Sequence, residues 1–284
     1  MKPIKKLTFF INRQKHGALD LSEELAKVAT SIGTQCIICS QHDELKKALK
    51  NQDACCVIGG DGTILSTVSD CLENHVPVFG INQGKLGFLA TYSPKTVLRH
   101  FTSLLQGTYQ LEERFVLQCT TAQGKKAIAL NDVVIKHYSP YRLMEMDVYC
   151  NDQFVTSYAS DGLIISTPTG STAYNLSAGG PIIYPDSNVF AMTPICPHTL
   201  SNRSVIFECS SVLKINTIEN QNHGLEYQSQ ISLDGQIPWT QQHNSKNLFP
   251  IRVNIFEQKI ALIQPIDYSY FKILRKKLKW GDEH

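Results

Sequence analysis

The first third of the chain alternates short apolar runs with stretches that carry apolar residues at helical spacing. The runs at residues 7–11, 35–39, 54–58 and 78–81 predict buried β-strands, and Leu21, Leu25 and Val28 illustrate the helical spacing between them. Strands that alternate with helices form βαβ units, in which the strands run parallel and helices cover the sheet. A further helix at residues 94–105 closes this region. The pattern therefore predicts an α/β, doubly wound (Rossmann-like) domain over residues 1–108.

Beyond residue 108 the helical spacing gives way to short strand-like runs, separated by turn signals such as Gln123-Gly124 and Asn151-Asp152. The predicted strands cover residues 110–119, 127–136, 144–150, 154–158, 163–166, 205–208, 212–215, 226–233, 251–255 and 260–263. This succession predicts a β-rich, β-sandwich-like domain over residues 109–264. The last segment, residues 265–284, contains an amphipathic run that predicts a helix packed back on one of the two domains.

Composition and charge narrow the class of protein. With 284 residues and 42% hydrophobic content, the chain can form two hydrophobic cores. Its net charge of +2, with both signs spread evenly, gives no reason to expect nucleic acid or an anionic membrane as a partner. Several of the nine cysteines lie in apolar runs without zinc-site spacing, which favours unpaired thiols in a reducing compartment. No signal peptide and no apolar run of about 20 residues is evident, so we expect a cytoplasmic protein.

The third predicted strand is followed by Gly59-Gly60-Asp61-Gly62, and a helix is predicted to begin at Thr63. Glycines at such a turn let backbone N–H groups approach phosphate oxygens beside the positive end of the helix. Asp61 would repel phosphate unless a cation or a reacting hydroxyl lay between them, and a phosphotransferase supplies both. The alternative is an ordinary Asp-Gly turn. The pattern is neither the dinucleotide Gly-x-Gly-x-x-Gly nor a Walker loop.

Two further segments have the composition of binding loops. Residues 82–89 follow the strand at 78–81 and carry glycines at 84 and 87, which would bring backbone close to a ligand or to the Asp61 loop. Phe88 in this segment could stack on a base or belong to the core. Residues 161–181 are dense in hydroxyls and small side chains, with Asp161 and Tyr174 as the most distinctive members, and favour binding of a sugar and a base. A capped helix start near Thr172 would explain part of the same pattern.

These segments together resemble the bacterial ATP-NAD kinase family over nearly the whole chain. The Gly-Gly-Asp-Gly-Thr turn alone is shared with diacylglycerol-kinase-like lipid kinases and phosphofructokinases. The more specific segments are residues 82–89, 131–132, 161–181, 197–200 and 267–271. The resemblance implies an α/β N-terminal domain, a C-terminal domain of β-sheets, a terminal helix that returns to the first domain, and a homo-oligomer, commonly a homotetramer.

The resemblance also implies residue roles. Asp61 would be the catalytic base, and the phosphate loop for ATP would comprise Gly59, Gly60, Gly62 and Thr63. The implied NAD contacts are Asp61, Gly62, Phe88, Asn131, Asp132, Arg142, Ala159, Asp161, Thr172, Ala173, Tyr174, Asn175, Leu176, Ser177 and Gln236. Two positions depart from the family pattern. Asp132 stands where the family usually has Glu, and Ala159 stands where some relatives carry an Arg linked to rejection of NADH, which leaves the choice between NAD and NADH open.

The implied reaction transfers the γ-phosphoryl group of ATP to the 2′-hydroxyl of the adenosine ribose of NAD. Mg²⁺ is the expected divalent cation, bridging the phosphates, and no dedicated protein cage for a metal is evident in the sequence. Polyphosphate as an alternative donor is left open. Two rival interpretations are a lipid kinase that shares the Asp61 turn and a non-catalytic NADP(H)-binding sensor.

Overall fold

A computed structural model of the chain describes residues 1–84, 87–137, 143–199, 202–218, 229–236 and 248–281. The chain forms two compact units, one comprising Met1–Glu113 and Ile260–His284 and the other Arg114–Lys259. The second unit is therefore inserted, along the chain, between two parts of the first.

The first unit is an α/β structure. Its elements are β1 (Lys6–Ile11), α1 (Ala18–Ser31), β2 (Gln35–Cys39), α2 (His42–Ala48), β3 (Ala54–Ile58), α3 (Asp61–Glu73), β4 (Val78–Ile81), α4 (Pro94–Leu105), β5 (Gln110–Arg114), β17 (Ile260–Gln264) and α6 (Tyr270–Leu278). One six-stranded sheet has the order β2-β1-β3-β4-β17-β5, and β1 pairs in parallel with both β2 and β3. Every residue of β3 is buried, as expected for a central parallel strand covered on both faces.

The second unit consists of two sheets. Its elements are β6 (Leu117–Thr120), β7 (Lys126–Ala129), β8 (Asp132–His137), β9 (Met144–Cys150), β10 (Gln153–Ser160), β11 (Gly162–Ser166), a 3₁₀ turn (Thr169–Thr172), α5 (Tyr174–Ser177), β12 (Val189–Ile195), β13 (Val205–Glu208), β14 (Val212–Thr217), β15 (Ser229–Leu233) and β16 (Ile251–Ile255). One sheet has the order β10-β9-β14-β16-β6-β7, and the other has the order β13-β12-β11-β8-β15. Side chains of both sheets form one core, for example Ile135 and Leu163 with Met146 and Leu213.

The other face of the five-stranded sheet is covered by the short helix α5. Val134, Ile164 and Ile195 on that face contact Tyr174 and Ala178. Alternate residues of β8 and β11 therefore serve two different layers, as the two-residue period of a strand requires. This arrangement places residues 169–178, which the sequence predicts to bind a ligand, directly on the sheet.

The predicted fold class is confirmed, with an α/β part, a β-rich part and a terminal helix that belongs to the first unit. The predicted strand allocation is wrong in two places. Residues 110–119 form two strands, of which β5 joins the first sheet, and β17 also lies in that sheet, where Leu262 pairs with Val78 in parallel. The structural division thus falls after Glu113 and before Ile260 rather than at 108 and 264.

Strand β12 was not predicted, because its Thr193 and Pro194 interrupt the apolar pattern.

None of the helices within the described residues has the length and apolarity needed to cross a membrane. The nine cysteines of the chain are all unpaired, and five of them are buried. The cysteines are thus unpaired, as expected from the sequence, and the buried ones pack as small apolar residues.

Candidate active site

The Gly-rich turn connects β3 to α3, as the sequence predicts. A Cβ atom on Gly59 would lie 2.4 Å from Thr63 Oγ1, so the Thr63 side chain folds over a position that only glycine can fill. Thr63 Oγ1 also accepts a hydrogen bond of 3.4 Å from Asn12 Nδ2. Gly60 and Gly62 have open space where a side chain would be. Their backbone is therefore accessible to a ligand at the start of the helix.

A cavity of about 700 Å³ lies beside this turn, within the first unit. Asn12 follows β1, Ser40 follows β2, and Gly60 and Thr63 follow β3, so the cavity lies at the carboxyl ends of three neighbouring strands. Open α/β sheets bind ligands at this edge. Arg13 and Lys15 also line the cavity, and none of the described residues that line it is acidic. The cavity is thus suited to a polyanion.

The Asp61 carboxylate is held by backbone N–H groups of a loop that returns after β4. The N–H of Phe88 donates to Oδ2 at 2.8 Å, and the N–H groups of Ala90 and Leu89 donate to Oδ1 at 2.9 and 3.3 Å. A carboxylate has about four acceptor positions. The described residues use three of them, and the position that they leave open is on Oδ2. Asp61 is therefore fixed in orientation and still able to accept one further hydrogen bond.

Phe88 itself is half-buried. Its ring centroid lies 6.4 Å from that of Tyr270, and the Lys277 ammonium lies 5.8 Å from it, so α6 contacts the loop that holds Asp61. Of the two predicted roles of the glycine loop, contact with the Asp61 turn is the one that the structure shows directly.

In the second unit, residues 130–132, here called the Asn131 segment, are fixed from two sides. The Asp234 carboxylate accepts hydrogen bonds from the N–H groups of Leu130, Asn131 and Asp132, at 2.9, 2.7 and 3.2 Å. On the other side the N–H of Thr167 donates to the Asn131 carbonyl at 2.9 Å. The backbone of this segment is therefore fully engaged, which leaves its side chains as the groups that can meet a ligand.

The 3₁₀ turn packs tightly against the same segment. A Cβ atom on Gly170 would lie 2.1 Å from the Asn131 carbonyl oxygen. Strand β11 pairs with β8 in the register Ser166↔Asp132 and Gly162↔Lys136. Asn131 and Asp132 thus lie at one end of β11, and the exposed Asp161 lies at the other end, roughly 15 Å away along the strand. The predicted NAD contacts of this unit follow an extended line.

Tyr174 lies beside Lys136, which comes from β8. The Lys136 ammonium is 4.4 Å from the centre of the Tyr174 ring and also donates to its hydroxyl group. Thr172, Ala173 and Leu176 are half-buried and Ser177 is exposed. Gln236 is exposed and follows Asp234, whose N–H donates to the Asp132 carbonyl at 3.0 Å. Gln236 therefore lies close to the Asn131 segment, whereas Tyr174 lies toward the far end of β8, at Lys136.

Asn175 is a correction to the predicted contacts, as far as its side chain is concerned. The residue is fully buried, and its Nδ2 donates to the carbonyls of Ser171 and Pro181 at 3.3 and 3.0 Å. Its Oδ1 accepts a hydrogen bond of 2.7 Å from Thr193. The amide is thus used entirely within the protein, where it closes the turn. Ala159 is half-buried and its carbonyl accepts from the N–H of His198 at 3.0 Å, whereas Arg142 lies outside the described residues.

Two carboxyl groups lie at the Asn131 segment, of which Asp132 is buried and Asp234 is half-buried. The pKa of Asp132 is raised to about 7, chiefly by burial and also by the Asp234 charge, and Lys136 partly opposes both effects. Burial also raises the pKa of Asp234 to about 6, although three backbone N–H groups favour its ionised form. Asp234 is therefore the member of the pair that carries the negative charge most readily.

Known proteins match both units. Residues 27–109 match the model of the ATP-NAD kinase N-terminal domain, and residues 130–244 match that of the ATP-NAD kinase C-terminal domain. The NAD kinase of Pseudomonas entomophila is 37% identical over 283 residues, which are 98% of this chain and 90% of that protein. The chain belongs to the ATP-NAD kinase family. The NAD kinase of Coxiella burnetii is 39% identical over 252 residues, 87% of this chain and 80% of that protein.

Two solved structures share the fold of this ATP-NAD kinase family member. Yeast NADH kinase, determined as a complex with NADH, has a TM-score of 0.86 and 23% identity, and the alignment covers 99% of this chain and 89% of that one. An NAD kinase from Archaeoglobus fulgidus in complex with ATP has a TM-score of 0.78 and 22% identity, with coverage of 96% and 98%. The resemblance predicted from the sequence is confirmed at the level of family and fold.

Sequence reasoning missed Arg13, Lys15 and Asp234. For the first two a signal was present, since they directly follow an apolar strand of an α/β sheet at its ligand-binding edge. Asp234 gave no local signal, because it acts on a segment 103 residues away from it in the chain. Among the described residues, no three His, Cys, Asp or Glu side chains are grouped so that they could hold a metal ion.

Proposed function

We propose that this protein is an NAD kinase that transfers the γ-phosphoryl group of ATP to the 2′-hydroxyl of the adenosine ribose of NAD. The observation that carries the proposal is the Asp61 carboxylate at the start of α3, which is fixed by the N–H groups of residues 88–90. The turn that carries it lies beside a cavity lined by the basic side chains of Arg13 and Lys15. Membership of the ATP-NAD kinase family supports the same reaction.

Asp61 is the proposed general base. Its free acceptor position on Oδ2 takes the proton of the 2′-hydroxyl while the bond from the 2′-oxygen to the γ-phosphorus forms. The bond between that phosphorus and the β,γ-bridging oxygen breaks, and ADP leaves with the electron pair. The proton remains on Asp61 until it passes to solvent. NADP and ADP are the products.

The donor phosphates are proposed to lie in the cavity beside the Gly-rich turn. At the N-terminus of α3, the N–H groups near Gly60 and Gly62 carry partial positive charge, which favours the negatively charged phosphates. Arg13 and Lys15 add further positive charge. The described residues that line this cavity include no carboxylate, so a Mg²⁺ ion would have to be brought in with the phosphates of ATP. That ion would neutralise charge on the transferred group.

NAD is proposed to bind through the residues around the Asn131 segment. Asn131, Asp132 and Gln236 offer hydrogen bonds to a ribose, Tyr174 offers a ring face, and Asp161 lies at the far end of β11. Thr172, Ala173, Leu176 and Ser177 complete the set. The length of this line suits an extended dinucleotide rather than a lipid with a single headgroup.

The test is an assay for NADP formation, with ATP or polyphosphate as donor and NAD or NADH as acceptor. We expect NADP from ATP and NAD. Phosphorylation of diacylglycerol instead would establish the lipid-kinase alternative, and tight NADP binding without turnover would establish the sensor. The proposal also includes a homotetramer located in the cytoplasm, which sedimentation of the purified protein and fractionation of cells would check.

A further inference from the structure

The loop at residues 87–90 wraps around the Asp61 carboxylate. Three consecutive N–H groups, those of Phe88, Leu89 and Ala90, all point at the two oxygens of one carboxylate. Successive backbone N–H groups that converge in this way form an anion-binding concavity. This concavity, here called the amide cradle, is occupied by a side chain of the protein itself.

Gly87 stands at the edge of the amide cradle. A Cβ atom at this position would lie 1.9 Å from Asp61 Oδ1 and 2.5 Å from Cγ, so any other residue would displace the carboxylate. The backbone φ of Gly87 is not in the left-handed region. The requirement for glycine is therefore one of space, and the space is the one that the base occupies.

The cradle rests on rigid parts of the first unit. Leu89 and Ala90 are buried, and a Cβ atom on Gly80 of β4 would lie 2.9 Å from Ala90 Cα, which shows how closely the loop lies on the strand. On its outer side, Phe88 contacts Tyr270 of α6. The three N–H groups are thus held in place from both sides, which is the condition for fixing a catalytic group within a fraction of an ångström.

We propose that the amide cradle, with Gly87 as its essential glycine, is the device that positions Asp61 for catalysis and leaves only one acceptor position of Oδ2 for the substrate hydroxyl. The inference rests on the proposed function, because it assigns Asp61 as the base. Gly87 and residues 88–90 are positioning residues, since they act through Asp61.

The first test compares Gly87→Ala with Gly84→Ala in the same loop. A Cβ atom on Gly84 would meet only Asn82 Oδ1, at an ordinary 3.6 Å, so this variant is the matched control. For Gly87→Ala we expect kcat to fall roughly 10²-fold, because displacement of a catalytic group by about 1 Å has that effect. We expect the Kd for NAD, measured by titration calorimetry, to stay close to wild type, and the melting temperature to fall while staying above the assay temperature, because the displaced carboxylate satisfies the three N–H groups less well. Normal kcat in Gly87→Ala, or an equal loss in Gly84→Ala, would overturn the inference.

The second test begins with a variant that keeps Gly87. In Asp61→Gly the cradle keeps its three N–H groups and loses its carboxylate, so added formate should bind there and restore at least roughly 10-fold of the lost rate. In Asp61→Gly combined with Gly87→Ala, the new Cβ fills that space and formate should restore nothing. Equal rescue of both variants, or no rescue of Asp61→Gly, would contradict a preformed cradle.

These results are separable from a failure of the proposed function. If wild type made no NADP, the assignment of NAD kinase activity would fail before any variant was compared. If wild type were active and Gly87→Ala equally active, only the positioning role of the cradle would fail.

Discussion

At the scale of single residues, Asp132 and Asp234 are neighbouring carboxyl groups whose pKa values are both raised. Asp234 receives three N–H groups, whereas Asp132 is buried beside the Asp234 charge and its pKa is raised to about 7. Near neutral pH, Asp132 therefore exists in both protonation states. As a neutral carboxyl group it can donate a hydrogen bond to a ribose oxygen, and as a carboxylate it can only accept one.

The raised pKa of Asp132 predicts how stability depends on pH. In the unfolded chain an aspartate has a pKa of about 3.9, so between about pH 4 and pH 7 the folded state binds more protons. The free energy of unfolding should therefore fall as pH rises through this window, and Asp234, with its pKa raised to about 6, contributes with the same sign. Asp132→Asn should make the fall smaller. Urea unfolding at pH 5 and pH 8 checks this, and an unchanged fall in Asp132→Asn would contradict it.

Tyr174 is predicted to stack on a base of NAD. Tyr174→Ala should weaken NAD binding by about 1–3 kcal/mol, the range found when aromatic residues that stack on bases are replaced by alanine. Tyr174→Phe is the control, because it keeps the ring and removes only the hydroxyl that Lys136 contacts. Calorimetric titration with NAD measures both variants. Unchanged affinity in Tyr174→Ala would make the residue a packing residue against β8 and β11.

At the scale of elements, the turn after β15 and the 3₁₀ turn hold the Asn131 segment, at the start of β8, between them. The Asp234 carboxylate accepts hydrogen bonds from the N–H groups of this segment, and Thr167 donates to its carbonyl groups. Gly170 lacks the Cβ atom that would clash with the Asn131 carbonyl. The three elements come from distant parts of the chain and meet at Asn131. The proposed NAD contacts in this unit therefore depend on one shared hydrogen-bond cluster.

Asp234→Ala should disrupt this cluster. Three N–H groups would lose their acceptor, and each buried donor left unsatisfied costs about 1–3 kcal/mol unless water replaces the carboxylate. We expect a clear loss in the free energy of unfolding and a Kd for NAD raised roughly 10-fold. The control is Asp152→Ala, because Asp152, like Asp234, has a positive φ but its side chain is 87% exposed and 3.5 Å from Lys214, so its effect should stay within about 1–2 kcal/mol, the cost of alanine in that conformation. Equal effects of the two variants would show that Asp234 has no special role.

The elements also show what could be predicted from the sequence. The turn from β3 to α3 was predictable because its glycines, apolar strand and helical spacing lie within 20 residues of one another. Strands β5 and β17 were found as strands but assigned to the wrong sheet, since alternation along a strand shows which face is buried and not which strand is its neighbour. The role of Asp234 depends on a contact with a segment 103 residues away in the chain, so the local pattern could not reveal it, whereas the approach of Gly87 to the Asp61 turn was one of two roles that the glycines predicted.

At the scale of the whole molecule, both ends of the chain build the first unit. Strand β17 and helix α6 follow the second unit in sequence and return to the sheet and to the loop that holds Asp61. The resemblance to a known family predicted this return, whereas the apolar pattern alone did not say which domain the helix joins. Asp61, the proposed base, and the helix that supports its loop are therefore about 200 residues apart in the chain and belong to one unit.

The central claim is that Asp61 removes the proton from the 2′-hydroxyl of NAD as the phosphoryl group is transferred. The most direct test is the rate of NADP formation by Asp61→Asn in a single turnover with saturating ATP and NAD. Asparagine keeps the size of the side chain but cannot act as the base. We expect the rate to fall by roughly 10²–10⁴-fold while calorimetry shows that NAD still binds. A rate close to that of the wild type would contradict the account.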